Sequence, residues 1–332
     1  MFKKIIFIAI ALIFILILCY IGLFFISPPL PKETVYGVTF SRPYAQSALG
    51  LEWKEVYLAI LDELEVKNIR IPIYWNEIEP EQGKFYFEDY DFIFQEAQKR
   101  GANIIPVVGQ RLPRWPECHE PEWAKSLDRS LKQERIITML KIVIDRYNGY
   151  PNIKMWQVEN EPFLPWFGIC PKLDKNFLKK EVELARSKSN RPILITESGE
   201  LSTWYQASRL GDYLGTTLYR KVFEENLKFY WTYPIPKSLY WIRASFNGKP
   251  LDKVIVSELQ AEPWVKNPPI PTVPLDEQYQ TMNLKTFKEN SEFAKSTGIS
   301  EIYLWGAEWW YWLKEKKGDP NIWNEAKTLF RR

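Results

Sequence analysis

One histidine, His119, and three cysteines, Cys19, Cys118 and Cys170, are all that 332 residues offer of the two side chains that bind soft metals. Cys/His zinc clusters, multi-histidine iron sites and cysteine-held clusters therefore lack ligands, and no metal centre is expected. No Gly-x-Ser-x-Gly, Gly-x-Gly-x-x-Gly or Walker A string occurs, so the sequence implies no cofactor. Charge of one sign is scarce too. With 44 basic against 41 acidic residues the net charge is +3, which leaves no footprint for nucleic acid. What the chain holds in quantity is aromatic surface (15 Trp, 18 Tyr, 19 Phe) and carboxylate, and so many aromatics exclude disorder.

Lys3 and Lys4 precede an uncharged apolar run from Ile5 to Ile26, long enough to span a bilayer, which takes about 20 residues. A cleavable signal has a shorter core, about 7–15 residues, and a small-residue cleavage site. Gly22-Leu23-Phe24-Phe25-Ile26 supplies none, so residues 1–26 read as an uncleaved anchor rather than a signal. The lysine pair keeps that end in the cytoplasm, which puts the rest of the chain outside it, at a cell surface or in a periplasm. Residues 27–34, with Ser27-Pro28-Pro29-Leu30-Pro31, read as an extended stalk.

From residue 35 to 332 short β-branched and aromatic runs alternate with helical patterns. Strands are expected at Tyr36–Phe40, Ile69–Tyr74, Asn103–Val108, Ile153–Val158, Ile193–Thr196, Tyr213–Leu218, Val254–Ser257 and Glu301–Trp305. Between them Trp53, Tyr57, Ile60 and Leu64 mark one helical face, and Ile136, Leu140, Val143 and Tyr147 another. Eight strands, each trailed by a helix or long loop, predict a parallel sheet with right-handed crossovers. The expected fold class is α/β: a (β/α)8 TIM barrel in one domain, preceded by one transmembrane helix. A doubly wound open sheet is the alternative, but its glycine-rich turn is missing.

In such a barrel, chemistry sits where strands end. The fourth ends Trp156-Gln157-Val158-Glu159-Asn160-Glu161-Pro162, and the seventh ends Val254-Ile255-Val256-Ser257-Glu258. Two carboxyls facing each other across one mouth are what glycosidic cleavage needs: one protonates the leaving oxygen, the other attacks or activates water. Three rivals were weighed by position. Glu197 ends the fifth strand, next to the fourth rather than opposite it. Glu262 lies four residues past the expected end of its strand and reads as a loop salt bridge. Glu159 reads as a buried partner of Arg70 or another cation, because a buried carboxylate needs pairing.

Asn160-Glu161-Pro162 ending a fourth strand, with Ser257-Glu258 ending a seventh, resembles the clan A glycoside hydrolases, which include family 5 cellulases and family 42 β-galactosidases. The resemblance implies a retaining glycosidase with Glu161 as acid/base, Glu258 as nucleophile and Asn160 on the sugar 2-hydroxyl. It also implies Arg70 beneath the nucleophile, Tyr219 hydrogen-bonded to it, and Trp305 as the floor under the sugar being cleaved. Clan members acting on polymers often carry a histidine on strand three or six; here only His119, in the loop after strand three, stands near. Trp115, Trp123, Trp166, Trp264, Trp309, Trp310 and Trp312 fall in expected mouth loops, about half of them as plain packing. The expected substrate is a carbohydrate: a β-1,4-glucan or hemicellulose. An exo-acting β-galactosidase-like enzyme and a non-catalytic surface glycan-binding barrel are the alternatives. Cys118 and Cys170 follow neighbouring strands, and outside the cytoplasm such a pair is expected to form a disulfide rather than two free thiols.

Overall fold

The computed structural model describes residues 2–224, 228–266 and 269–331. Its strands are β1 Val35–Thr39, β2 Asn68–Pro72, β3 Asn103–Val108, β4 Trp156–Val158, β5 Ile193–Glu197, β6 Tyr213–Leu218, β7 Lys221–Glu224, β8 Phe229–Thr232, β9 Val254–Gln260 and β10 Glu301–Trp305. Eight of them close in the order β1-β10-β9-β6-β5-β4-β3-β2, every pairing parallel. The α/β barrel is the closed form, not the open sheet. β7 and β8 form a separate antiparallel hairpin between β6 and β9, an insertion that the sequence pattern does not announce.

Strand alternation sorts the barrel's side chains. Ile105, Met155, Leu194, Ile255 and Tyr303 make a small apolar layer inside it, while Ile69, Ile71, Ile195, Val256 and Leu304 join the large cluster beneath the helices. Gly37 faces the inner layer. A Cβ there would lie 2.7 Å from the Tyr303 ring, so β1 must be bare at this point for Tyr303 to fill the axis. Outside, Arg129–Tyr147 buries Ile136, Met139, Leu140, Val143, Ile144 and Tyr147, and Asp128 caps it by accepting from the Leu131 amide at 3.0 Å. Asp174 caps Lys175–Lys188 in the same way.

The N-terminal helix, Phe2–Leu23, contains a 20-residue stretch, Lys4–Leu23, with mean hydropathy 3.2 and no burial against the barrel, long and apolar enough to cross a membrane. Its end touches the barrel: Tyr20 Oη donates to the Pro234 carbonyl at 2.6 Å, and Ser238 Oγ donates to that of Leu23. The proline segment that follows is not a free stalk, because Pro28 is buried and the Pro29 carbonyl packs on Gly298.

Candidate active site

Arg70 is the hub of the barrel mouth. It points inward from β2 and is fully buried. Its Nε donates to Gln157 Oε1 (2.7 Å), Nη2 to Asn160 Oδ1 (2.7 Å) and Nη1 to Glu258 Oε1 (2.9 Å). Tyr219, just past β6, donates its hydroxyl to the other oxygen of Glu258 at 3.0 Å. Glu258 thus has a cation on one oxygen and a phenol donor on the other, which fixes the direction of both oxygens.

Alternation alone would not aim it there. The register of β9 shifts against both β6 and β10 between Val256 and Glu258. The extra residue, Ser257, is a β-bulge, and it turns Glu258 inward after Ile255 instead of letting Val256–Glu258 face the helices. β4 breaks its period too. Glu159 and Glu161 have φ of +57° and +42°, a left-handed conformation that side-chain-bearing residues rarely hold. That kink sends Asn160 and Glu161 to the axis and Glu159 out into the loops.

Glu161 is buried, its amide donates to Thr196 Oγ1 on the neighbouring strand at 2.9 Å, and its Oε1 has no partner among the described residues. Burial first, then the charges of Glu258 and Glu117, hold its carboxyl well above the usual range. Two carboxyls in unlike surroundings therefore share the mouth, Glu258 braced on both oxygens and Glu161 buried with one oxygen unpartnered among the described residues.

The rivals resolve by direction. Glu197 follows the inward Thr196 and faces outward; burial raises it to about 7, with Ser202 and Arg243 among its neighbours. Glu159 is not the partner of Arg70. It accepts from the amides of Gln110 (2.7 Å) and Arg111 (2.6 Å) and faces Glu181, because its left-handed backbone turns it away from the axis. Glu262 is closer to its strand than expected, since β9 runs on to Gln260. It is buried and ion-paired with Arg114, whose guanidinium lies between the rings of Tyr44 and Trp305, 4.1 Å from the latter. One face of Trp305 is therefore taken by Arg114. His119 packs on Tyr74 with ring centroids 4.4 Å apart, and burial lowers it to about 4.

Of the mouth tryptophans, Trp309, Trp310 and Trp312 are buried in the helix Ala307–Lys317, and the indoles of Trp309 and Trp310 donate to Gln278 and the Ala261 carbonyl. Trp123 packs edge-on against Trp75. Trp115 and Trp166 stand open, at 64% and 68% exposure. Trp115, Phe167, Trp264 and Tyr219 form a chain of ring contacts (6.2, 6.0 and 5.1 Å) from the rim down to Glu258. Cys118 and Cys170 are bridged, Cα atoms 5.3 Å apart, tying the loop after β3 to the loop after β4.

Two members of this site lack any warning in the sequence. Glu117 lies in an unremarkable loop string, and Glu200 follows Gly199 past the end of β5, where it accepts from the Tyr219 amide at 2.7 Å. A third, Gln157, goes unnamed in the sequence reading although it does carry a signal: the period of two along β4 puts it inside the barrel beside Arg70.

No protein-family model matches the chain. A family 10 endo-β-1,4-xylanase from Gloeophyllum trabeum superposes with a TM-score of 0.55 at 15% identity, covering 82% of this chain and 84% of that one. The two share the closed (β/α)8 barrel fold. A family 5 subfamily 18 protein from Bifidobacterium longum subsp. infantis gives a TM-score of 0.56 at 12% identity over 83% of this chain and 70% of its own. A β-galactosidase from Halorubrum lacusprofundi gives 0.51 at 14%, over 81% and 52%. In sequence, the β-galactosidase Pbg of Clostridium perfringens is 23% identical over 138 residues, 35% of this chain and 20% of that protein. The chain thus matches only about a fifth of that relative's length.

Proposed function

We propose that this chain is a retaining glycoside hydrolase of β-linked glycans, with Glu258 as nucleophile and Glu161 as acid/base. The observation that carries the reading is the asymmetry of the pair: Arg70 and Tyr219 brace both oxygens of Glu258, while Glu161 is buried with one oxygen unpartnered among the described residues and its carboxyl raised by burial. Glu258 attacks the anomeric carbon as Glu161 gives its proton to the departing glycosidic oxygen, leaving a glycosyl ester on Glu258. That ester removes the charge opposite Glu161, whose carboxylate then takes a proton from water as the water oxygen displaces Glu258 with a second inversion.

Glu161→Gln should lower turnover on natural glycans by about 10²- to 10⁴-fold, yet leave much of the rate on aryl glycosides whose leaving group needs no proton. Glu258→Gln should lose both, and proton NMR should show the first product with the substrate's anomeric configuration. Near wild-type turnover in both variants, or an inverted first product, overturns the reading.

The aromatic path from Trp115 to Tyr219 supports a substrate of several sugars, a β-1,4-glucan or hemicellulose, because indole and phenyl faces match the C–H faces of pyranoses. The clostridial and haloarchaeal β-galactosidases motivate an exo-acting alternative. Viscosity loss against monosaccharide release on a glycan panel separates the two. The apolar helix and the Cys118–Cys170 bridge support a membrane-anchored protein with its barrel outside the cytoplasm.

A further inference from the structure

The helix that precedes the barrel meets it at the mouth, although the strand it leads to begins at the opposite end. Pro234 and Ser238 lie in the segment that follows β6 and its hairpin, level with the end of that strand: the Tyr233 amide donates at 2.9 Å to the carbonyl of Arg220, two residues past β6. The helix end is tied to this segment, Tyr20 Oη donating to the Pro234 carbonyl at 2.6 Å and Ser238 Oγ to that of Leu23. β1, by contrast, starts at the floor, where the Val35 amide donates at 2.7 Å to the carbonyl of Ser300, just before β10. By Pro29 the chain has already reached that floor. A Cβ on Gly298, between the helix Leu284–Ser296 and β10, would lie 2.5 Å from the Pro29 oxygen. Residues 24–29 thus form a strap down the side of the barrel, and the helix stands at the rim above it.

Only the end of the helix touches the barrel, because the stretch Lys4–Leu23 has no burial against it. As a spanning segment its 20 residues rise about 30 Å, the thickness of the hydrocarbon core, which puts Leu23 at one face of that core and Tyr20 within a turn of it. The Pro234 carbonyl, held by Tyr20, then lies at the headgroup boundary, where a bare carbonyl is costly and a tyrosine hydroxyl answers it. Beside it is an exposed aromatic face. β8 turns Tyr230 inward onto Phe223 (ring centroids 5.3 Å) and Glu277, while Phe229 and Trp231 meet edge to face on its outer side, 43% and 37% exposed. We propose that this edge of the mouth is a membrane-contact surface: the bilayer that holds the helix also takes the outer face of β8, with Phe229 and Trp231 among its headgroups. An indole, apolar in body with one N–H to satisfy, suits that layer. The proposal rests on the helix spanning a bilayer, and it bears on the carboxyl pair. Arg220, whose guanidinium donates to the carbonyls of Tyr233 (3.4 Å) and Ile235 (3.2 Å), adjoins Tyr219, the residue bonded to Glu258. The pair therefore opens at the bilayer surface and meets glycans presented there.

The test uses the full chain in phosphatidylcholine–phosphatidylglycerol vesicles, with Cys19→Ser to remove the free thiol and either Trp231→Cys or Phe246→Cys to carry a fluorophore. Phe246 is the control. At 86% it is the more exposed of the two, but it ends the helix Ser238–Phe246 near the floor, where Lys249 Nζ donates at 2.9 Å to the carbonyl of Gly211, just before β6. Lipids brominated near the top of the acyl chain should quench the label at 231 at least about threefold more than the label at 246, since an interfacial face sinks about 5–10 Å into that layer. Iodide in the water should reverse the order. The unlabelled chain gives a second reading. Its N-terminal helix holds no tryptophan, so any quenching of tryptophan emission by the same lipids comes from the barrel, and Trp231→Phe should remove most of it. Equal lipid quenching at both labels, iodide reaching 231 as freely as 246, or tryptophan quenching that survives Trp231→Phe overturns the proposal. So does a chain that leaves the membrane without its helix. The measurement needs no turnover, so the glycosidase reading stands or falls apart from it.

Discussion

Arg70 shows how much rests on one side chain in this molecule. Its guanidinium donates to the side chains of Gln157, Asn160 and Glu258, each buried, and among the described residues no second cation hydrogen-bonds these three side chains. Arginine suits the position because a planar fork reaches three acceptors in fixed directions, which an ammonium cannot. Arg70→Met would keep the volume and strand all three. Removing one partner of a buried pair costs about 3–5 kcal/mol, so the variant should melt well below the wild type. Bound at Glu258, Arg70 also holds the proposed nucleophile in place, and kcat/KM should fall by about 100-fold or more with its loss. Thermal melts and initial rates check both; wild-type stability in a folded Arg70→Met protein would refute the hub.

At the scale of strands and helices, the pattern of the sequence and the finished barrel agree where periodicity governs. Each expected barrel strand overlaps a real one, because parallel strands buried on both faces are written in β-branched runs between amphipathic helices. They part where the chain leaves its period. Nothing in Val-Ser-Glu reveals the bulge at Ser257, and nothing in Glu-Asn-Glu reveals two left-handed residues, since both arise from neighbouring strands and loops. Strand order placed Glu161 and Glu258 at one mouth, but Glu117 and Glu200 reach it through loop geometry, which has no period to read. Glu159 reads as a buried partner of Arg70 or another cation because a buried carboxylate needs pairing, but its left-handed backbone turns it to the amides of Gln110 and Arg111.

The left-handed turn leaves Glu159 against Glu181, on the helix Lys175–Lys188, with Glu181 Oε1 unpartnered among the described residues and the pair on the wall of a cavity that Arg111, Gln133, Ile136 and Phe177 also line. Burial, and for Glu181 also the Glu159 charge, raise both carboxyls. The folded protein thus keeps a proton that the unfolded chain releases above about pH 4.3. Stability from this pair is full below that pH and declines as pH rises toward the raised native value. Glu181→Gln keeps a donor for Glu159 and removes the titration. Melting temperatures at pH 5, 7 and 9 should fall less steeply in Glu181→Gln, with the variant the more stable at pH 9. Glu197 and Glu308, near 7, slope the same way and persist in both proteins. Parallel pH profiles would count against the shared proton.

The whole molecule carries two unlike surfaces. The barrel covers its apolar surface with helices, whereas the stretch Lys4–Leu23 covers none of its own. Each Leu, Ile, Phe or Val at the centre of a spanning helix favours insertion by about 0.3–0.6 kcal/mol, and this helix is built mainly of them. Water is the wrong surroundings for such a surface. The hydrogen bonds from Tyr20 to Pro234 and from Ser238 to Leu23 further hold the barrel at the helix end, without the slack that a free stalk would give. If the helix spans, the full chain expressed in a bacterium should stay with the membrane through alkaline carbonate and high salt. Protease added outside spheroplasts should then remove the barrel while sparing the helix. If the segment is instead a signal that is removed, the protein should appear in the soluble fraction with its first 20-odd residues missing, and intact-mass measurement decides between them. A spanning helix would confine hydrolysis to glycans within reach of the bilayer surface, whereas a released barrel would act on glycans anywhere outside the cell.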